Sequence, residues 1–218
     1  MLPLGYFRSP RFSVAMLAVG LGVFALLGGL FLQTQFLQFF LGYSPLGAGL
    51  RSLPIAGLVA AGALVSSRLV RAVGTKLTAA AGLALLVGGL AENAAVATPT
   101  VTYLAALPGM LLVGLGAGML LPAATDSVLW SLAHGDAGVG SAANSAAIQV
   151  GGALGVAVIG SVLSTRYQGA LNPVLAGRHV PPVVAQQILG SLGGARAVAR
   201  AVGGRSVPAW PRSLAAAS

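Results

Sequence analysis

Five long apolar stretches, almost free of charge, dominate the sequence and limit what it can become. They run from Phe12 to Leu32, from about Leu53 to Val65, from Leu77 to about Val96, from Tyr103 to about Leu121 and from Asn144 to Leu163. A helix needs about 20 mostly apolar residues to cross a hydrocarbon core about 30 Å thick. Lipid offers no hydrogen bonds to the backbone, and a helix satisfies its own. Only 7% of the 218 residues are charged, against about a quarter in a soluble domain. So few charges cannot cover a water-facing surface. The expectation is an all-α polytopic membrane protein with five spans and its termini on opposite sides.

Arg8 and Arg11 precede the first stretch, as in a signal peptide. The apolar run is too long for that, and no small-residue cleavage site follows. The helix is expected to continue through "QTQFLQFFLG" to Gly42. The second stretch is the least complete: Arg51 and Arg68 bound it, and Pro54 lies near its start, where a first helical turn tolerates proline. Beyond Arg166 no further span fits, because the longest uncharged run, His179 to Ala195, contains Pro181 and Pro182. An amphipathic helix is expected over 183–202, with Val184, Ile188, Leu192, Ala195, Ala199 and Val202 on one side. Disorder is expected after Gly204. This divides the chain into a cytoplasmic segment 1–11, a five-span bundle 12–164 and a tail 165–218. With the N-terminus inside, Arg8, Arg11, Arg68, Arg71 and Lys76 are cytoplasmic, and Arg51, Arg166 and Arg178 lie outside. The positive-inside rule favours that orientation.

Whole classes of chemistry are absent from this pattern. There is no cysteine, and His134, His179, Glu92, Asp126 and Asp136 are scattered. They form no metal-ligand spacing and no nucleophile–base–acid set. No enzyme activity, metal or cofactor is therefore expected. The net charge of +9 comes from arginines between spans rather than from a basic block interleaved with aromatics, so no nucleic-acid partner is expected.

The few polar groups near spans are the candidate functional residues. Gln33, Gln35, Gln38, Asn144 and Gln149 cannot be satisfied by lipid, and Gln38, Asn144 and Gln149 are the candidate cavity-lining residues. Plain interhelical hydrogen bonding is the alternative. Phe36, Phe39, Phe40 and Tyr43 fit an interfacial aromatic belt or an apolar drug site equally. Glu92 falls just inside the membrane boundary opposite the one where its span begins, snorkelling or paired with Arg51. Asp126 follows Pro122, which is expected to end or kink the fourth span. At 1.5 Å per residue it lies roughly 34 Å from Tyr103, just past the hydrocarbon core. Gly114, Gly116, Gly118, Gly151, Gly152 and Gly155 read as small-residue surfaces for helix packing rather than a nucleotide loop, since no strand precedes them.

Four segments carry a resemblance. "GVGSAANSAAIQVGGALGVAVIGSVLSTRY", from Gly138 to Tyr167, resembles the penultimate span of fourteen-span drug–proton antiporters of the major facilitator superfamily, the EmrB/QacA type. "GLGAGMLLPAATDSV" looks like the span before it. "FLQFFLGYSPLGAGLRSLP" is similar to that family's external connection, and "SRLVRAVGTK" to its cytoplasmic loop. The matches occur in the family's order and cover roughly residues 7–202. Three positions depart from the pattern: Ile148 stands where the family usually has arginine, and Ser67 and Arg71 stand where the loop motif has Gly and Asp.

The resemblance implies the C-terminal bundle of such a transporter, with five of its last six spans and without the last. It implies proton-driven efflux of small molecules or drugs. The partners would be the bilayer, an N-terminal bundle, protons and substrate. It gives Asp126 a second reading beside the interfacial one, as a gate acid pairing with Arg68, Arg71 or Lys76. The runner-up to transport is a fragment that only packs with other membrane chains, and a third reading is a small pore-like membrane protein.

Overall fold

The computed structural model describes residues 6, 8–98, 101–132 and 137–176. The expected helix over 183–202 and the end of the tail lie outside them, as do His134, Asp136 and His179. Five α-helices occupy the described residues: α1 (Pro10–Gln35), α2 (Pro45–Val73), α3 (Thr75–Ala95), α4 (Tyr103–Trp130) and α5 (Ala137–Ala176). A π-helical turn, Phe36–Phe40, closes α1. All five helices are long and apolar enough to cross a membrane, and the protein is an all-α polytopic bundle. Leucines such as Leu46, Leu64 and Leu104 stand exposed on its flanks, a surface suited to lipid and not to water.

Several boundaries differ from the sequence expectation, each for a local reason. Helix α2 begins well before Leu53, because Pro45 occupies its first turn and Ser44 caps it, the hydroxyl accepting from the Gly47 N–H at 3.1 Å. Arg51 and Pro54 are therefore inside the helix rather than at its edge. The segment "SRLVRAVGTK" is no loop: α2 runs to Val73, α3 starts at Thr75, and Gly74 alone turns the chain with φ of 88°. That left-handed backbone suits glycine. Pro122 does not end the fourth span. Helix α4 continues through Pro108 and Pro122 to Trp130, as membrane helices can when packed neighbours and flanking turns hold the backbone on both sides of a missing N–H. Helix α5 extends beyond the expected Asn144–Leu163 at both ends.

Consecutive helices alternate in direction, and α4 is the central one, buried along most of its length. Its contacts with α2 and α3 are made backbone to backbone. A β-carbon on Gly62 of α2 would come 2.6 Å from the Leu115 carbonyl oxygen, and one on Gly114 would come 2.8 Å from that of Ile55. On the α3 side, a β-carbon on Gly116 would lie 2.5 Å from the Leu86 nitrogen, and one on Gly82 would lie 2.7 Å from the Leu120 nitrogen. In lipid the hydrophobic effect does not draw helices together, so dispersion across such close approaches is a main source of cohesion. The Ser66 hydroxyl adds a buried hydrogen bond to the Met119 carbonyl at 2.9 Å.

Helices α1 and α5 form a second, parallel unit. Gly151 sits against the Gly20 carbonyl and Gly155 against that of Phe24. Where α1 meets α4, the contact is made through side chains: Phe12, Val19 and Val23 pack with Leu120, Ala124 and Val128 in the principal core, and Gly22 leaves room for the Leu120 side chain.

Candidate functional site

Polar residues collect at the two ends of the bundle and at one crossing between α4 and α5. The Lys76 end holds Arg8, Arg11, Arg68, Arg71, Lys76 and Asp126, all exposed. The one-residue turn at Gly74 brings Arg68, Arg71 and Lys76 together, and α4 ends beside them, carrying Asp126 one turn past Pro122. Among the described residues no ion pair joins Asp126 to any of these bases. The four candidate gate residues thus share one end of the molecule without touching in this conformation.

The Arg51 end is more tightly built. The Arg51 guanidinium lies 3.7 Å from the centre of the Tyr43 ring and 6.0 Å from that of Tyr103. Its Nη1 donates to the Gly47 carbonyl at 3.2 Å, and its own carbonyl accepts from the Tyr103 hydroxyl at 2.9 Å. Beside it, Gln33 Nε2 donates to Ser52 Oγ at 3.2 Å, tying α1 to α2. Gln38 is half-buried within the π-helical turn. Stacked Phe36 and Phe40, 5.5 Å apart, continue this aromatic lining.

Glu92 does not pair with Arg51, whose guanidinium rests on tyrosine. Its Oε2 is buried in the α3–α4 contact without a hydrogen-bond partner and lies against Gly109, where any β-carbon would collide with it. The neighbouring Asn93 turns its amide onto the Gly89 carbonyl instead, at 3.0 Å.

At the α4–α5 crossing, the Thr125 hydroxyl donates to Asn144 Oδ1 at 3.4 Å. Gln149, further along α5, is exposed. The three candidate cavity residues are therefore not brought together: Gln38 is near the Arg51 end, Asn144 is in a helix contact, and Gln149 is on an open face.

The six candidate packing glycines all lie at helix contacts, Gly114 and Gly118 against α2, Gly116 against α3, and Gly151, Gly152 and Gly155 against α1. Sequence reasoning missed Gly62 and Gly82, which face these α4 glycines, and the Gly89–Gly109 approach between α3 and α4. Their signal was present, since Gly82 and Gly89 are seven residues apart and so share one helix face. It also missed Tyr43, Arg51 and Tyr103 as one cluster, which joins residues distant in sequence.

The chain is 32% identical over 197 residues to the multidrug resistance protein Stp of Mycobacterium tuberculosis, covering 88% of this chain and 35% of Stp. It is 30% identical over 183 residues to the tetracenomycin C resistance and export protein of Streptomyces glaucescens, covering 84% of this chain and 34% of that protein. Its homologues are drug efflux and resistance proteins of the major facilitator type, similar to it over most of its own length. The multidrug efflux pump LfrA of Mycolicibacterium smegmatis is a further relative of the same kind, 31% identical over 205 residues, with 91% of this chain and 39% of LfrA covered. The chain spans about a third of the length of these curated drug-resistance relatives. No family model matches the sequence, and no solved structure matches it.

Proposed function

We propose that this five-helix unit is the C-terminal bundle of a proton-driven exporter of drugs or other small molecules. Its Lys76 end would face the cytoplasm, in the plasma membrane. The observation that carries this reading is homology, over most of the chain, to proteins of drug resistance and export. Two structural features support it. Polar Gln149 is exposed about 18 Å along α5 at the helical rise, a depth at which lipid cannot satisfy it. That face of α5 therefore meets water or another helix. The bases at the Lys76 end outnumber those at the Arg51 end, as the positive-inside rule asks of a cytoplasmic side. Transport of this kind needs no covalent chemistry. It proceeds by rocking of two bundles about a midplane site, so a second, N-terminal bundle is the partner.

The test reconstitutes the purified chain in liposomes bearing a pH gradient, alone and together with the preceding two-thirds of a matched relative. No ethidium efflux is expected from the chain alone, and protonophore-sensitive efflux is expected from the pair. Robust efflux by the chain alone would overturn the single-bundle reading. Correct insertion of both parts without efflux would count against export.

A further inference from the structure

We infer that Arg51 is a clasp that holds the end of α1 against α2 and α4, and that its release opens the seam beneath it to water. The inference concerns the bundle itself and does not depend on the export reading. Its starting point is a contrast in how the helices are joined. Close glycine contacts fix α4 to α2 and α3, and α5 to α1. At the Arg51 end, α1 meets α2 and α4 through side chains alone. Buried Ile55, Ala106 and Met110 form a small cluster there, covered by Phe36, Val59 and Tyr103. Side-chain seams of this kind part without displacing a neighbouring backbone.

The backbone of α1 loosens at this same place. Its last turn is π-helical, with the Leu41 N–H reaching the Phe36 carbonyl at 3.0 Å and the Tyr43 N–H reaching that of Leu37 at 3.0 Å. Gly42 follows with φ of 78°. Such turns are rare and are frequent at functional sites. Immediately beyond it comes Tyr43, the residue on which Arg51 stacks. One side chain on α2 thus holds the far end of the α1 extension through a ring face, while its own carbonyl is held by Tyr103 at the head of α4. No carboxylate pairs with Arg51 among the described residues, so its charge rests on the Tyr43 ring and on the Gly47 carbonyl of its own helix. The Gln33–Ser52 hydrogen bond is a second tie across the seam, joining α1 to α2 below the π-helical turn, and buried Leu37 anchors the turn from within.

The sequence contains no cysteine, so a single introduced cysteine reports one position. In the full chain, reconstituted in nanodiscs, Met110→Cys lies under the clasp and should react slowly with a water-soluble maleimide. Arg51→Ala should speed that reaction about tenfold, as expected for losing one partly desolvated cation–π contact. Tyr43→Leu, which removes the aromatic face but keeps an apolar side chain, should do the same. Arg51→Lys, which keeps the charge but loses the planar group, should also speed it. Ala124→Cys, buried near the other end, should keep its rate in every variant. Three results would overturn the clasp: a Met110→Cys rate within twofold of the parent in Arg51→Ala, equal acceleration at Ala124→Cys, or a parental rate in Arg51→Lys.

Discussion

Helix α4 is gripped from three sides, whereas α5 is held chiefly from one. The trio α2–α3–α4 is joined by mutual glycine approaches, in which each backbone occupies the space a side chain would need. The pair α1–α5 uses the same device along one parallel contact. Between trio and pair, bulky side chains do the joining, with Phe12, Val19 and Leu120 fully or almost fully buried. The difference teaches where this protein can change shape. Interlocked backbones have one arrangement, but facing side chains can repack, so movement belongs to the boundary between trio and pair.

The comparison can be broken from the strongest site downward. Gly116→Leu should cost most, about 3 kcal/mol or more by overpacking against the α3 backbone, read as loss of helicity on denaturant titration in detergent. If Gly155→Leu costs more than Gly116→Leu, the ranking of trio over pair is wrong. Leu120→Ala, at the boundary, should lose roughly 2–4 kcal/mol through the cavity it leaves. Gly155→Leu should cost about 2 kcal/mol by forcing α5 off the Phe24 carbonyl, while Val158→Leu, on the exposed side of α5, should be close to neutral. Equal effects from these two would mean that α5 presents a different face to α1. Thr125→Val should cost under about 1 kcal/mol, the usual scale for an interhelical hydrogen bond in a membrane. Smallest of all, Asp126→Asn and Arg71→Gln should combine additively in a double-mutant cycle on stability, since both are exposed and no ion pair links them. A clear coupling would show that the Lys76 end closes in a conformation other than this one.

The sequence made the number and rough position of the spans legible, because a charge-free run of bilayer length has few other uses. It was less informative at punctuation. Pro122 reads as a stop and Arg51 as an edge, yet both lie within helices, since lipid penalises a broken backbone more heavily than a proline or a snorkelling arginine. The glycines of α4 and α5 could be read as packing surfaces because they cluster. Their partner Gly62 on α2 could not, as only the register between helices selects it. The Arg51 cluster was invisible for the same reason: Tyr43, Arg51 and Tyr103 converge only once α2 and α4 lie side by side.

The one-residue turn at Gly74 also bears on how the chain enters a bilayer during synthesis. Helices α2 and α3 are the least apolar of the five and carry Arg51, Arg68, Arg71, Lys76 and Glu92. With a single residue between them, neither has slack to wait at the surface while the other crosses, so they insert as one hairpin. That hairpin is unfinished when it arrives. Its glycine faces at Gly62 and Gly82 were shaped for α4, which follows only from Tyr103 onward. Until α4 arrives, those two faces lack the backbone they fit against.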